Sequence, residues 1–442
     1  MPLKRGIPYQ PYSFLIKKLD GLIVAQDDKG VIRFSGTDAS TVIQSAINAL
    51  PSTYPGKIFI KEGNYVISST IVISIPDLFI EGMGYSTILR LKPGANISML
   101  ELKDGTRNFR MADIYLRGEK SLQTAVGHGI FLNNTAEVAN WRLTNVIISH
   151  FKGCGIYLTE RLYASIFENC YIELNDASGI YSRKYFSNCE VKGCYIYSNG
   201  EDGIYLYLGC RNKFSNNYIV LNTKNGINFD TSYENEVIGN QISSNGLRNR
   251  IEGNLIERNG REGIYGFGGF SYNIIMGNHF HDNSQASTNT YNDIWLRTDG
   301  TRYCVNNVIM GNHFLGAVLT GNKAKYGIEE SASTDDYNII SRNIFGLLGT
   351  APVKQSGVNT KVQDNIGYIT ENSGTATITA GATYVDVTHG LAITPDINRI
   401  KVVPKDNLGG RSFWISDVGA TTFRINISSV DTVDHAFGWS YD

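Results

Sequence analysis

From about Asn169 to Asn283 the chain repeats one short figure of apolar and polar positions. Cys170-Tyr-Ile-Glu-Leu-Asn is followed by Cys194-Tyr-Ile-Tyr-Ser-Asn and Asn217-Tyr-Ile-Val-Leu-Asn, then by Asn240-Gln-Ile-Ser-Ser-Asn, Asn254-Leu-Ile-Glu-Arg-Asn and Asn278-His-Phe-His-Asp-Asn. The anchors Ile172, Ile196, Ile219 and Ile242 lie 24, 23 and 23 residues apart. Isolated apolar positions in short polar runs read as strands, and a fixed period of this size makes each strand one rung of a solenoid. A second column reads Gly-Ile-aromatic-apolar, at Gly129, Gly155, Gly179, Gly203, Gly226 and Gly263, and Asp293-Ile-Trp-Leu and Gly327-Ile-Glu-Glu continue it. A third reads Asn-x-apolar-x-Gly/Asn, at Asn212, Asn235, Asn249, Asn273 and Asn307. Three strands per coil follow. One coil is short: Ile242 to Ile256 is only 14 residues, which predicts a missing or compressed Gly-Ile strand there, read either as a notch or as a local bulge.

The residue between the second and third strands recurs as Asn217, Asn240, Asn254, Asn278, Asn312, Asn343 and Asn365. Stacked at the strand spacing of about 4.8 Å, their amides can bond one another and hold a tight turn. Cys170 and Cys194 take this place in two adjacent coils; they read as small buried residues, although their position also allows a disulfide. Ahead of the coils, Ser13-Phe-Leu-Ile and Gly21-Leu-Ile-Val-Ala lead through the turn Asp27-Asp-Lys-Gly30 into Val31-Ile-Arg-Phe, a hairpin. Thr37 or Asp38 can then cap a helix whose stripe is Val42, Ile43, Ala46, Ile47 and Leu50, stopped by Pro51. The first coil of a solenoid exposes its core and its sheet edges, so this helix is read as the cap. The Asn-rich pattern ends near residue 369. Six strand-like runs separated by turns then predict a β-sandwich over 370–442. The predicted organisation is an attachment segment over 1–36, a parallel β-helix over 37–369 and the sandwich.

The helix motif D-x-x-x-x-I-Q-x-A-I at Asp38–Ile47, the strand G-K-I-F-I-K-E-G-N-Y at Gly56–Tyr65 and I-E-G-M-G-Y-S-T-I-L at Ile80–Leu89 resemble the opening module of the pectate-lyase-like superfamily, over roughly residues 37 to 368. The resemblance implies an all-β, right-handed, single-stranded parallel β-helix. It also implies that the asparagine ladder marks the second turn, so that the Gly-Ile strands form the sheet lining the substrate groove. The superfamily holds polysaccharide lyases, glycoside hydrolases and virus tailspikes, so the likeness speaks for the fold more than for the chemistry. The tail pattern V-T-H-G-L-x-x-x-P, F-W-I-S, T-T-F-R-I-N and F-G-W, from Val387 to Trp439, is similar to terminal modules of phage and virus fibre proteins.

Composition narrows the partners. The formal net charge is −1, which argues against a nucleic-acid binder. No run of apolar residues is long enough to span a membrane, and the first residues lack the apolar core of a signal peptide. Proline is absent between Pro93 and Pro352, which suits unbroken ladders. The same absence removes the Arg-x-Pro-x-x-Arg segment of pectate lyases.

In Gly-Ile-Tyr-Leu the third residue points outward. The outward column on the expected groove sheet is Phe131, Tyr157, Tyr181, Tyr205, Asn228, Tyr265 and Trp295. Aromatic faces stack on sugar rings, so Tyr157, Tyr181, Tyr205, Tyr265 and Trp295 are the candidate substrate-binding residues, against the plainer reading that tyrosine is a good strand residue. Acids in the flanking turns include Asp202, Asp230 and Glu262. Glycoside hydrolysis needs two carboxyl groups about 5–9.5 Å apart, so Asp202 with Asp230 or Glu262 are the candidate catalytic acids, against solvated turn acids. Gly127-His128-Gly129 resembles one polygalacturonase signature, but the partner motifs are missing and it reads as a repeat position. His279 and His313 fall on one column; two stacked histidines do not make a metal site. No cofactor is called for, with calcium left open. The reading is a polysaccharide-binding protein of the tailspike kind that recognises host glycans, with degradation of the polysaccharide left open. It would be extracellular or on the virion surface, and the resemblance implies a homotrimer with other virion proteins as a further partner class. The alternatives are a secreted glycoside hydrolase or lyase, and a non-catalytic adhesive solenoid.

Overall fold

A computed structural model describes residues 12–53, 56–224, 226–230, 232–233, 235–238, 246–247, 250–257, 261–318 and 321–441. Its coils wind as a parallel β-helix. The Gly-Ile strands stack in register, Ile130 on Ile156, Ile156 on Ile180, Ile180 on Ile204 and Ile204 on Ile227. They belong to a seven-stranded sheet running from Ile71–Ile73 to Ile227–Asp230. A four-stranded sheet, from Ile264–Phe267 to Ala351–Lys354, continues the column. The break between the two falls where the short coil was expected. There Arg250–Glu252 pairs directly with Glu236–Ile238, and no further Gly-Ile strand stands between among the described residues. Ile242, Asn240 and Asn249 lie outside the described residues.

The second and third strand columns flank a single left-handed residue, for example Asn169 at φ 54° between Ile166–Glu168 and Tyr171–Glu173. Asparagine and glycine tolerate that conformation, which explains the Gly/Asn alternation read from the repeat. The next residue is the ladder. The amide of Asn278 donates to Oδ1 of Asn312 at 2.9 Å, Asn312 to Asn343 at 3.0 Å and Asn343 to Asn365 at 3.1 Å. Cys170 and Cys194 occupy the same column as free thiols: Cys170 N–H points at Cys194 Sγ, and Cys194 N–H donates to Asn217 Oδ1 at 2.9 Å. Sulfur here replaces an amide oxygen as acceptor, so the disulfide alternative is set aside. Two further ladders run through the other corners. Asn175, Asn199 and Asn222 link in one, and Asn273, Asn307 and Asn338 in the other. Inside, the columns Ile156–Ile180–Ile204, Ile172–Ile196–Ile219 and Phe280–Phe314–Phe345 are buried. The Phe rings stack with centroids 4.7 and 4.9 Å apart.

The glycine of Gly-Ile is a close-approach position. A Cβ on Gly179 would lie 2.6 Å from Gly203 O and 2.8 Å from the Ile196 side chain. The strand therefore touches the third-strand isoleucine of its own coil and the backbone of the next.

The cap helix spans Ala39–Asn48, with Asp38 accepting from the N–H groups of Ser40 and Thr41. Val42, Ile43, Ala46 and Ile47 are buried against the first coil. The helix also closes a sheet edge. Gln44 donates to Val72 O at 2.9 Å and accepts from Val72 N at 2.7 Å, which mimics a neighbouring strand for Ile71–Ile73. The N-terminal hairpin is a three-stranded meander, Phe14–Leu19, Leu22–Asp27 and Ile32–Gly36. Its first strand pairs in parallel with Gly56–Ile60, so the meander is continuous with the coils and shares their core.

All six strand-like runs of the tail form strands. They make two three-stranded antiparallel sheets, each with a strand from Thr422–Ile427 or His435–Tyr441 at its centre. Their core, built on Phe423, Ile425, Phe437 and Trp439, is separate from that of the coils.

Candidate functional site

The outward column of the seven-stranded sheet is a stack of rings. Tyr157 and Tyr181 lie 5.2 Å apart with planes 2° from parallel, and Tyr181 and Tyr205 lie 4.7 Å apart at 10°. His128 extends the stack over Tyr157 at 4.5 Å and 17°, and Phe131 leans on both. This corrects one expectation. At a rung spacing of about 4.8 Å, parallel rings cover one another's faces. A ligand on this sheet meets ring edges and phenol hydroxyls, not a flat face on each tyrosine. Tyr157, Tyr181 and Tyr205 are all half-buried for this reason.

Beside the rings runs the column that precedes each Gly-Ile glycine: His128, Cys154, Ser178 and Asp202. Gly153 leaves room for the His128 ring; a Cβ there would sit 2.6 Å from its Nδ1. Nδ1 accepts the N–H of Cys154 at 2.9 Å, and burial holds the imidazole down to about 4. The neutral ring therefore carries its proton on Nε2 and can only donate there. Burial pushes the Cys154 thiol up to about 12, with Glu201 and Asp202 adding to the effect, so it is no nucleophile. Ser178 Oγ is buried without a protein partner. Asp202 is buried.

The four-stranded section carries a second group. Tyr265 and Trp295 adjoin with centroids 5.3 Å apart. The register places Glu329 beside Trp295 and Lys354 beside Glu329. Glu329 accepts from Lys354 Nζ at 2.6 Å and from Asn292 Nδ2 at 2.7 Å. Glu262 is buried at the start of its strand. Burial raises its carboxyl above the usual range, its own backbone N–H, Arg261 and Arg297 oppose this, and Glu329 adds to it. The Arg297 guanidinium lies 4.8 Å from the Trp295 ring and donates to the Tyr265 hydroxyl at 3.3 Å. Asp293 stands where other coils have glycine. It is wholly buried, accepts from Asn283 Nδ2 at 2.8 Å, and burial carries it to about 7. Its carboxyl ends the corner ladder that asparagines form elsewhere.

The structure does not bring the three candidate acids together. Asp202 precedes the strand Ile204–Tyr207, whereas Asp230 pairs with Tyr207 at its far end. Five residues at about 3.3 Å each put the two positions ~16 Å apart, beyond the range of a hydrolytic pair. The side chain of Asp230 lies outside the described residues. Glu262 belongs to the other section, across the break. The acid that acts on it is Glu329, which the repeat already placed on the outward column after Trp295 and which an aromatic-seeking reading passed over. His128 was singled out, but its fixed tautomer was not visible without Cys154.

Elsewhere, His279 and His313 stack at 4.6 Å on the third-strand face. His281 bridges Glu257 and Asp282, both at 2.9 Å. Among the described residues no three His, Cys, Asp or Glu side chains are grouped to hold a metal, and no helix is long and apolar enough to cross a membrane.

Comparison with known proteins fits this architecture. The family described as right-handed beta helix region matches residues 128–248. The mannuronan C5-epimerase AlgE5 of Azotobacter vinelandii is 24% identical over 395 residues, covering 76% of this chain and 37% of that protein. The chain thus spans little more than a third of that relative's length. Among solved structures, the A-module of the A. vinelandii epimerase AlgE6 superposes with a TM-score of 0.64 at 17% identity, covering 74% of this chain and 95% of the module. The enzymatically active domain of bacteriophage CBA120 tailspike protein 2 superposes with a TM-score of 0.52 at 12% identity, covering 96% of this chain and 76% of that domain. The chain has a right-handed parallel β-helix fold, continued by an antiparallel β-sandwich.

Proposed function

We propose that the chain binds an extended polysaccharide along the Gly-Ile sheet, as a surface protein of the tailspike kind that recognises host glycans. The observation that carries this reading is the ordered stack His128–Tyr157–Tyr181–Tyr205. Its ring edges and hydroxyls repeat at one-rung intervals, and the Nε2 donor of His128 stands at one end. Such a row offers apolar edges to sugar C–H groups and hydrogen-bond partners to hydroxyls, with little entropy to lose because the rings are already packed. Two solved structures of the same fold, one named a mannuronan epimerase module and the other the enzymatically active domain of a tailspike protein, support this reading. A virion-surface or extracellular location and a homotrimer go with the tailspike reading.

Cleavage of the bound chain falls to the four-stranded section. Glu262, with its raised carboxyl, is the acid that would protonate a leaving oxygen, and Glu329 is the second carboxyl of that section. One observation favours a purely binding role instead: Glu329 is already occupied by Lys354 and Asn292. A glycan array followed by product analysis separates the two. Binding is expected to fall in Tyr181→Ala and Tyr205→Ala. Any turnover is expected to vanish in Glu262→Gln while binding stays. Turnover that survives Glu262→Gln would remove it from the chemistry.

A further inference from the structure

The outer face of one sandwich sheet carries a row of side chains that the coils do not use. In the sheet of Tyr384–Thr388, Thr422–Ile427 and Phe413–Ser416, the buried residues Phe423, Ile425 and Ile427 face the core. The register therefore sets Tyr384, Asn426 and Trp414 side by side on the outer face. Asp386, Arg424 and Ser416 form the next row. Tyr384 and Trp414 are each 48% exposed. Two strand steps separate them by about 9.6 Å, with the amide of Asn426 between.

The row is held in place before any ligand arrives. Arg424 lies 4.0 Å over the Tyr384 ring and is bonded to Asp386 at 2.8 Å and to Asp417 at 2.9 Å. Asn426 donates to Ser416 Oγ at 3.0 Å. Trp414 is half-exposed, and among the described residues no ring or cation lies over it. We infer that this face is a second saccharide site, independent of the groove, which takes a neutral oligosaccharide. An exposed indole face packs against the C–H face of a pyranose, and the pinned tyrosine, the amide and the carboxylates meet its hydroxyls. Two strand steps match two sugar units, so the rings are spaced to engage the first and third sugars of one chain. Two carboxylates share one guanidinium here, so an anionic sugar would be repelled. A second copy of the chain is the poorer occupant. A stable interface buries about 800 Å² per partner around an apolar centre, and this face has an amide and an ion-pair network at its centre.

The test uses the full chain on immobilised neutral glucan, mannan and galactan oligosaccharides, with Trp414→Ala, Tyr384→Ala and the groove variant Tyr205→Ala. The rings are exposed, so melting temperature and size in solution should not change. Wild type is expected to bind at least one neutral oligosaccharide, Tyr205→Ala to keep that binding, and Trp414→Ala to lose about tenfold. No neutral ligand bound by wild type, or binding unaltered in both Trp414→Ala and Tyr384→Ala, would overturn the site. A smaller particle in Trp414→Ala would overturn it too, by making the face an interface between copies. Loss in Tyr205→Ala with Trp414→Ala silent would leave the groove reading standing and this one refuted.

Discussion

At the scale of single residues, the buried acids of the four-stranded section carry the clearest pH signature. Asp293 is wholly enclosed and titrates at about 7, because burial penalises its charge more than the Asn283 amide relieves it. An unfolded aspartate titrates near 3.9. Between these values the native chain keeps a proton that the unfolded chain has released, so stability falls as pH rises and stops falling above the folded value. The loss between pH 5 and 7 from this group is roughly 2 kcal/mol. Asp293→Asn keeps the acceptor for Asn283 and removes the titration. Urea unfolding at pH 5 and pH 8 should show wild type declining more steeply than the variant. Parallel curves would show that the carboxyl finds a relief the packing does not reveal.

At the scale of elements, the three asparagine ladders and the cap are what make separate coils one body. Asn312 receives the amides of Asn278 and donates to Asn343 and to Ile275 O, all inside the core. Asn312→Ala leaves a buried backbone N–H unpaired and should cost about 2–4 kcal/mol, read as a lowered urea midpoint; a change within about 0.5 kcal/mol would mean the turn is held by its backbone alone. At the cap, Ile43→Asp buries an unpaired charge and should lower the melting temperature sharply. Gln44→Ala uncovers the edge of Ile71–Ile73 and should show instead as association on size-exclusion chromatography, with a monodisperse profile counting against the edge role. The strands themselves were legible in the sequence, because an inward isoleucine every coil and a glycine at each close approach leave a one-dimensional trace. The Asn217–Asn365 column was legible for the same reason. The ladders through Asn199 and Asn307 were visible as letters but read as strand ends, since only the closed coil shows that they meet. The mutual stacking of the tyrosines, the Gln44 edge bond and the Glu329–Lys354 pair join positions on different coils, and no local pattern records such contacts.

At the scale of the whole molecule, two cores that share no residue predict two folding units. Limited proteolysis should cut first near 368–376 and release a folded β-helix; cutting spread through the coils would count against that boundary. The central claim is that the stacked rings of the seven-stranded sheet form the glycan surface. The most direct measurement is affinity electrophoresis of the full chain through gels containing a polysaccharide selected on the array, with Tyr157→Ala, Tyr181→Ala and Tyr205→Ala run beside wild type. Wild type should be retarded and each variant released while still folded by circular dichroism. Retardation equal in all four proteins would contradict the claim.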